Sequence, residues 1–148
     1  MKKARKNDST PLRLYALSPT EFLIVRVLAS VSAGFPSPAD DYFESEIDLN
    51  KELIRNPDAA FVIKVNGDSM TDDGIESGNI IIVDRSLEAK NRSIAVCCIN
   101  NEFTLKRLEI LKGKVRLLAA NPLFEAIEIH EGDELIIWGI ATHVIKEL

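Results

Sequence analysis

A chain of 148 residues has room for one compact core and an arm, but not for two independent domains. Hydrophobic residues at 46% and charged residues at 28% are ordinary for a soluble globular protein, which excludes wholesale disorder, a collagen-like repeat and a disulfide scaffold. The formal charge of −5 is unevenly spread: six basic against two acidic residues give 1–33 a net +4, leaving −9 on the remainder, so the body has no general attraction for nucleic acid.

In chain order, residues 1–33 read as an N-terminal arm, interrupted by Pro11 and Pro19 and carrying one apolar stretch, 22–29, too short for a core of its own. Arg26 breaks that stretch, which also falls far below the ~20 apolar residues of a membrane span and makes no convincing export signal. The run Gly34-Phe35-Pro36-Ser37-Pro38-Ala39 predicts an exposed, extended hinge, with the linker reaching residue 46. Residues 47–56 predict a short helix that ends before Pro57, with Leu49, Leu53 and Ile54 on one face and Asp48 or Asn50 as its cap. From there the chain changes to short β-branched runs, predicting strands at about 60–66, 79–84, 93–99, 102–108, 114–119 and 134–146. Asn100-Asn101 reads as a tight hairpin turn, and Gly67, Gly78, Gly113 and Gly132 mark other turns. The expected fold is mainly β, with curled or barrel-like antiparallel sheets in a body spanning 47–148, one short helix and an extended N-terminal arm.

Cys97 and Cys98 are neighbours in an apolar run, and on a strand they point to opposite faces, so they are expected as reduced core residues of a cytoplasmic protein rather than as a disulfide. The run 135–141 is apolar on both strand faces; this fits a wholly internal strand, or one that also meets a second subunit.

Gly67-Asp68-Ser69-Met70 places a serine in a glycine-led turn directly after a strong strand. Such a turn exposes a hydroxyl and aims backbone N–H groups at a reacting carbonyl, although serine in a turn is commonly just a hydrogen-bonding residue. A hydroxyl needs a base. His130 falls in a polar loop and His143 on the terminal strand without a carboxylate beside it, so a Ser–His–Asp arrangement has no support. A lysine held away from water is the other route, because desolvation favours the neutral amine. Alternation along 102–108 puts Thr104, Lys106 and Leu108 on one face and Phe103, Leu105 and Arg107 on the other, so one of the two cations leaves the usual pattern of solvated charge; from the residues alone the simpler expectation is Lys106 on the solvent face of an amphipathic strand. Bringing a lysine from ~10.4 into the ~7–8 useful to a general base costs roughly 4 kcal/mol, a sizeable share of a domain's stability.

Gly67-Asp68-Ser69-Met70 followed by Gly74-Ile75 and Gly78, then Phe103-Thr104-Leu105-Lys106-Arg107-Leu108 with the lysine 37 positions after the serine, resembles the LexA/UmuD group of Ser–Lys self-cleaving proteins. The segment Ala33-Gly34-Phe35-Pro36-Ser37-Pro38-Ala39-Asp40-Asp41-Tyr42 is similar to the cleavage region of its UmuD-type, mutagenesis branch. The resemblance implies Ser69 as nucleophile, Lys106 as general base, Ala33–Gly34 as the scissile pair and the backbone N–H groups of Asp68 and Ser69 as oxyanion hole, with no metal or cofactor. It further implies a cytoplasmic protein of the SOS response to DNA damage. RecA on single-stranded DNA would stimulate its self-cleavage, and the shortened homodimer would serve a UmuC-like, Y-family translesion polymerase, without sequence-specific DNA binding or a membrane. Asn79 stands where the group often has aspartate, which puts one turn interaction in question. Three other readings compete: a non-enzymatic polymerase-regulating subunit of the same fold, a LexA-like repressor fragment lacking its DNA-binding domain, and a signal-peptidase relative. A winged helix-turn-helix is not expected within 33 residues broken by two prolines, and a signal peptidase would need a membrane anchor.

Overall fold

The structure, a computed structural model, describes residues 13–16, 24–27 and 45–148; the expected scissile pair Ala33–Gly34 and most of the arm and hinge lie outside the described residues. The strands are β1 (Arg13–Ala16), β2 (Ile24–Val27), β3 (Ser45–Asp48), β4 (Ala60–Lys64), β5 (Ile80–Asp84), β6 (Ile94–Ile99), β7 (Glu102–Leu111), β8 (Lys114–Leu118), β9 (Ile127–Glu128) and β10 (Leu135–Ile145), with one α-helix, α1 (Leu49–Leu53). The described residues fall into two compact units, one holding 13–16 and 56–148, the other 24–27 and 45–55.

In the smaller unit β2 and β3 pair antiparallel, with Ile24 opposite Asp48 and Val27 opposite Ser45. α1 is shorter than the 47–56 expected from sequence because Ile47 and Asp48 are spent in that ladder and the chain is already extended at Ile54. Of the two candidate caps, Asp48 does the work: its Oδ1 accepts from the N–H of Asn50 at 3.0 Å and of Lys51 at 3.4 Å.

The larger unit is an eight-stranded antiparallel sheet ordered β1-β4-β5-β10-β6-β7-β8-β9, so the mainly β expectation holds. Apolar side chains of alternate residues fill both faces. One cluster gathers Ile63, Val65, Met70, Ile75, Ile81, Val83, Val96 and Leu105; the other gathers Ala95, Cys97, Leu108, Leu117 and Ile140. β10 lies between β5 and β6 and crosses two register shifts, at 137–139 and 141–143. Gly139 sits at the first shift, where a Cβ would fall 2.7 Å from Val83 Cγ1 and 3.1 Å from the Asp84 carbonyl oxygen. The close approach of β10 to β5 therefore requires glycine there. β10 is internal to its sheet, yet Ile136 keeps 48% of its surface exposed.

β6 and β7 form the hairpin expected around Asn100-Asn101. Both asparagines have positive φ, 48° and 66°, as a two-residue turn matching the sheet's twist demands. Asn100 also bonds outward, donating to Asp133 Oδ1 at 3.1 Å and accepting from Glu134 N at 3.0 Å.

Candidate active site

Ser69 lies in the connection between β4 and β5, and local hydrogen bonds fix its shape. Past β4, Val65 N–H donates to the Asn79 carbonyl at 2.9 Å and Gly78 N–H to the Val65 carbonyl at 2.8 Å, closing the base of the excursion. Inside it, Met70 and Ile75 drop into the core cluster that also holds Ile63 and Val83. Burying two such side chains is worth about 1.5–3 kcal/mol each, enough to pin a loop. A 3-10 turn over Thr71–Asp73 follows and ends at Gly74, whose φ of +78° suits a residue without Cβ. Asn79, itself buried, accepts from Glu76 N–H at 2.8 Å through its amide oxygen. The turn interaction thus needs only an oxygen acceptor, which asparagine supplies as well as aspartate.

Lys106 reaches this turn from β7. Its Cα partner on β6 is Ala95, and Thr104, two positions along the same strand face, is opposite Cys97. These small neighbours leave room for the lysine stem to lie along the sheet, and Lys106 is only 3% exposed, Ser69 5%. The Nζ of Lys106 stands 2.8 Å from Ser69 Oγ, 2.8 Å from Thr104 Oγ1 and 3.2 Å from the Leu105 carbonyl oxygen. Lys106 is therefore turned inward, against the solvent-facing placement that its charge alone suggests. Arg107, on the opposite face, pairs with Asp73 at 2.9 Å and donates to the carbonyl of Arg92, tying β7 to the 3-10 turn after Ser69.

Cys97 and Cys98 are buried free thiols. Burial pushes the Cys97 thiol up to about 12, against the opposing pull of the Lys106 charge, so the thiol stays neutral beside the lysine and offers neither a rival base nor a thiolate counter-ion. The histidines stand apart from this chemistry. His130 is an exposed loop residue 3.6 Å from Asp133 Oδ2, and His143 lies on β10 with its Nδ1 2.9 Å from Thr142 Oγ1. Among the described residues no three His, Cys, Asp or Glu side chains converge as a metal site would require.

Sequence reasoning passed over a third segment, 119–121, which braces the serine turn from outside. Ala120 N–H donates to the Ser69 carbonyl at 2.8 Å, Asp72 N–H to the Ala120 carbonyl at 2.7 Å, and the Asn121 side-chain amide to the Asp68 carbonyl at 2.7 Å. Asn121 Oδ1 meanwhile accepts from Leu123 N–H at 2.9 Å. The available signal was the Asn121-Pro122 dipeptide, which marks a turn but not what the turn touches.

Residues 26–142 match the family model of Peptidase S24-like proteins. The chain is 43% identical over 121 residues to the protein MucA of Salmonella typhimurium, covering 81% of this chain and 82% of that one. It is 42% identical over 115 residues to the protein SamA of the same species, covering 78% and 79%. With the LexA repressor of Bordetella pertussis it shares 36% identity over 125 residues, covering 84% of this chain and 57% of the repressor.

Proposed function

Since the chain belongs to the Peptidase S24-like family of serine peptidases and, within it, to the LexA/UmuD group, we propose that it cuts its own arm off between Ala33 and Gly34, with Ser69 as nucleophile and Lys106 as general base. One observation carries this reading: a buried amine and a buried hydroxyl 2.8 Å apart, on elements that the sequence separates by 37 positions. A buried ammonium is penalised by desolvation, and once it loses a proton its lone pair faces Ser69 Oγ.

The steps then balance. Ser69 Oγ attacks the Ala33 carbonyl carbon while its proton passes to Lys106 Nζ. The negative charge that develops on the carbonyl oxygen is met by the backbone N–H groups of Asp68 and Ser69. Collapse breaks the Ala33–Gly34 bond, the Lys106 ammonium returns a proton to the departing Gly34 amine, and an ester remains between Ala33 and Ser69. Water, deprotonated by the again neutral Lys106, hydrolyses the ester. The segment around the cut is expected to lie along the body as an added strand, and the tether raises its effective concentration enough for a single turnover.

The wider role proposed is that of the UmuD-type branch in SOS mutagenesis. RecA on single-stranded DNA favours the docked arm without contributing a catalytic group, and the shortened homodimer becomes an accessory of a Y-family, UmuC-like polymerase. The deciding experiment is intact-mass spectrometry of the full chain incubated with RecA, single-stranded DNA and nucleotide. A fragment beginning at Gly34 is expected from the wild type and not from Ser69→Ala or Lys106→Ala. Normal processing of either variant removes the self-cleavage reading and leaves the polymerase-regulating subunit. Without RecA, cleavage is expected to be slow and to accelerate from neutral pH towards about pH 10 as the amine loses its proton; a flat profile speaks against a lysine base.

A further inference from the structure

We propose that Asn121 is a positioning residue for the oxyanion hole: by holding the Asp68 carbonyl it aims the Ser69 N–H at the reacting carbonyl oxygen. The proposal rests on the self-cleavage reading above and adds a residue whose side chain bonds to Asp68 and Leu123.

A trans peptide unit is planar, with its C=O and N–H pointing in opposite directions. Fixing the carbonyl of residue 68 therefore fixes the direction of the N–H of residue 69. The Asn121 side-chain amide donates to the Asp68 oxygen at 2.7 Å, which locks the 68–69 peptide. Ala120 N–H donates to the Ser69 oxygen at 2.8 Å, which locks the next peptide in the same way. Both carbonyls face the 119–121 segment, so the N–H groups of Ser69 and Met70 face away from it. Of the two, the Ser69 N–H is the one assigned to the oxyanion hole, and among the described residues it donates no hydrogen bond, as a donor kept for a transient oxyanion requires.

Without such bracing the peptide would be free to rotate its carbonyl towards the site, because Gly67, one residue earlier with φ +122°, permits large backbone changes at little cost. Asn121 is itself held by its second bond, from Leu123 N–H to Oδ1 at 2.9 Å. Asparagine suits this place because one side chain must both accept from the Leu123 amide and donate to the Asp68 carbonyl. Aspartate accepts the first bond but sets an oxygen against an oxygen at the second.

That asymmetry supplies the test. Self-cleavage of the full chain without RecA is followed by intact mass from about pH 7 to pH 10 for wild type, Asn121→Asp, Asn121→Ala and Ser69→Ala, at a temperature where thermal melts show every variant folded. Removal of an oxyanion donor outright costs about 10²–10³ in rate, so its misdirection is expected to lower the high-pH plateau by about ten- to a hundredfold in both Asn121 variants. In Asn121→Ala the midpoint of the pH profile should not move, because no charge is added and Lys106 and its contact with Ser69 are untouched; the carboxylate of Asn121→Asp raises it by favouring the ammonium. A plateau equal to wild type in both variants overturns the proposal, and so does a lower plateau with a shifted midpoint in Asn121→Ala, which would place the effect on the Ser69–Lys106 contact. Cleavage by Ser69→Ala would instead overturn the self-cleavage reading itself.

Discussion

Cys97 and Lys106 share one buried face of the sheet, and the fold keeps the thiol neutral by the same exclusion of water that disfavours an ammonium. The consequence for stability has a definite sign. The Cys97 proton is held to about 12 in the folded chain against an ordinary 9.0, so above pH 9 the unfolded chain releases a proton that the folded chain keeps. The folded state then binds more protons, and stability falls as pH rises across that window, by on the order of 1 kcal/mol per pH unit from this group. Cys97→Ala should show a shallower loss of denaturation midpoint between about pH 9 and pH 12 than wild type, whatever it costs at neutral pH in lost packing. Parallel slopes would mean that the thiol does not hold its proton. Lys106→Met bears on the neighbouring group: an unbranched apolar side chain of similar length avoids burying a charge, so the thermal midpoint should stay within a few degrees while self-cleavage disappears. At this scale the sequence was legible in what it placed on one face, Thr104, Lys106 and Leu108, but not in the burial of the lysine there, since a strand charge ordinarily faces water. Period-two alternation does not report burial; both faces of this strand are covered, and it is the small Ala95 and the Cys97 opposite that leave room for the lysine stem.

Strands long enough to bury a face were readable from their alternation, and those that exist through their partners were not. β4 to β8 and β10 match the expected runs to within a few residues, whereas β1, β2, β3 and β9, of two to four residues each, carry too few positions for a period to declare itself. The expected helix lost its first two residues to pairing with β2 and its last three to extended backbone from Ile54, while Asp48, one of the two expected caps, still caps what remains. Two element-level predictions follow the backbone. Gly139→Ala forces Val83 and the Asp84 carbonyl away from β10, since the new Cβ would begin 2.7 Å from Val83 Cγ1; chemical denaturation should show a loss of about 1–3 kcal/mol. Asn101→Gly works the other way. Its φ of 66° is natural for glycine in the second position of such a turn, so a gain of a few tenths to about 1 kcal/mol is expected by the same measurement.

Over the whole molecule, cleavage between Ala33 and Gly34 would do more than shorten the chain. β1 and β2 both lie before the cut, while their partners β4 and β3 lie after it, so each compact unit would lose the covalent hold on one strand. Each ladder pairs four residues, Arg13 to Ala16 against Lys64 to Phe61 at the edge of the large sheet and Ile24 to Val27 against Asp48 to Ser45 in a two-stranded sheet, and so short a ladder contributes only a few hydrogen bonds. In the intact chain they form at the ~mM effective concentration that a short tether provides. At ~1 μM the fragment finds its partners about a thousandfold less often, a loss of about 4 kcal/mol, comparable with the net worth of several backbone hydrogen bonds at about 1 kcal/mol each. The 1–33 fragment should therefore stay with the remaining 115 residues in concentrated solution and leave on dilution. Native mass spectrometry of the cleaved chain across that range should show the shift, and hydrogen exchange at Ala60–Lys64 and Ser45–Asp48 should accelerate as the fragment departs. A fragment that remains bound at ~1 μM, with those amides still protected, would mean that side-chain contacts of the arm hold it far more firmly than two four-residue ladders can.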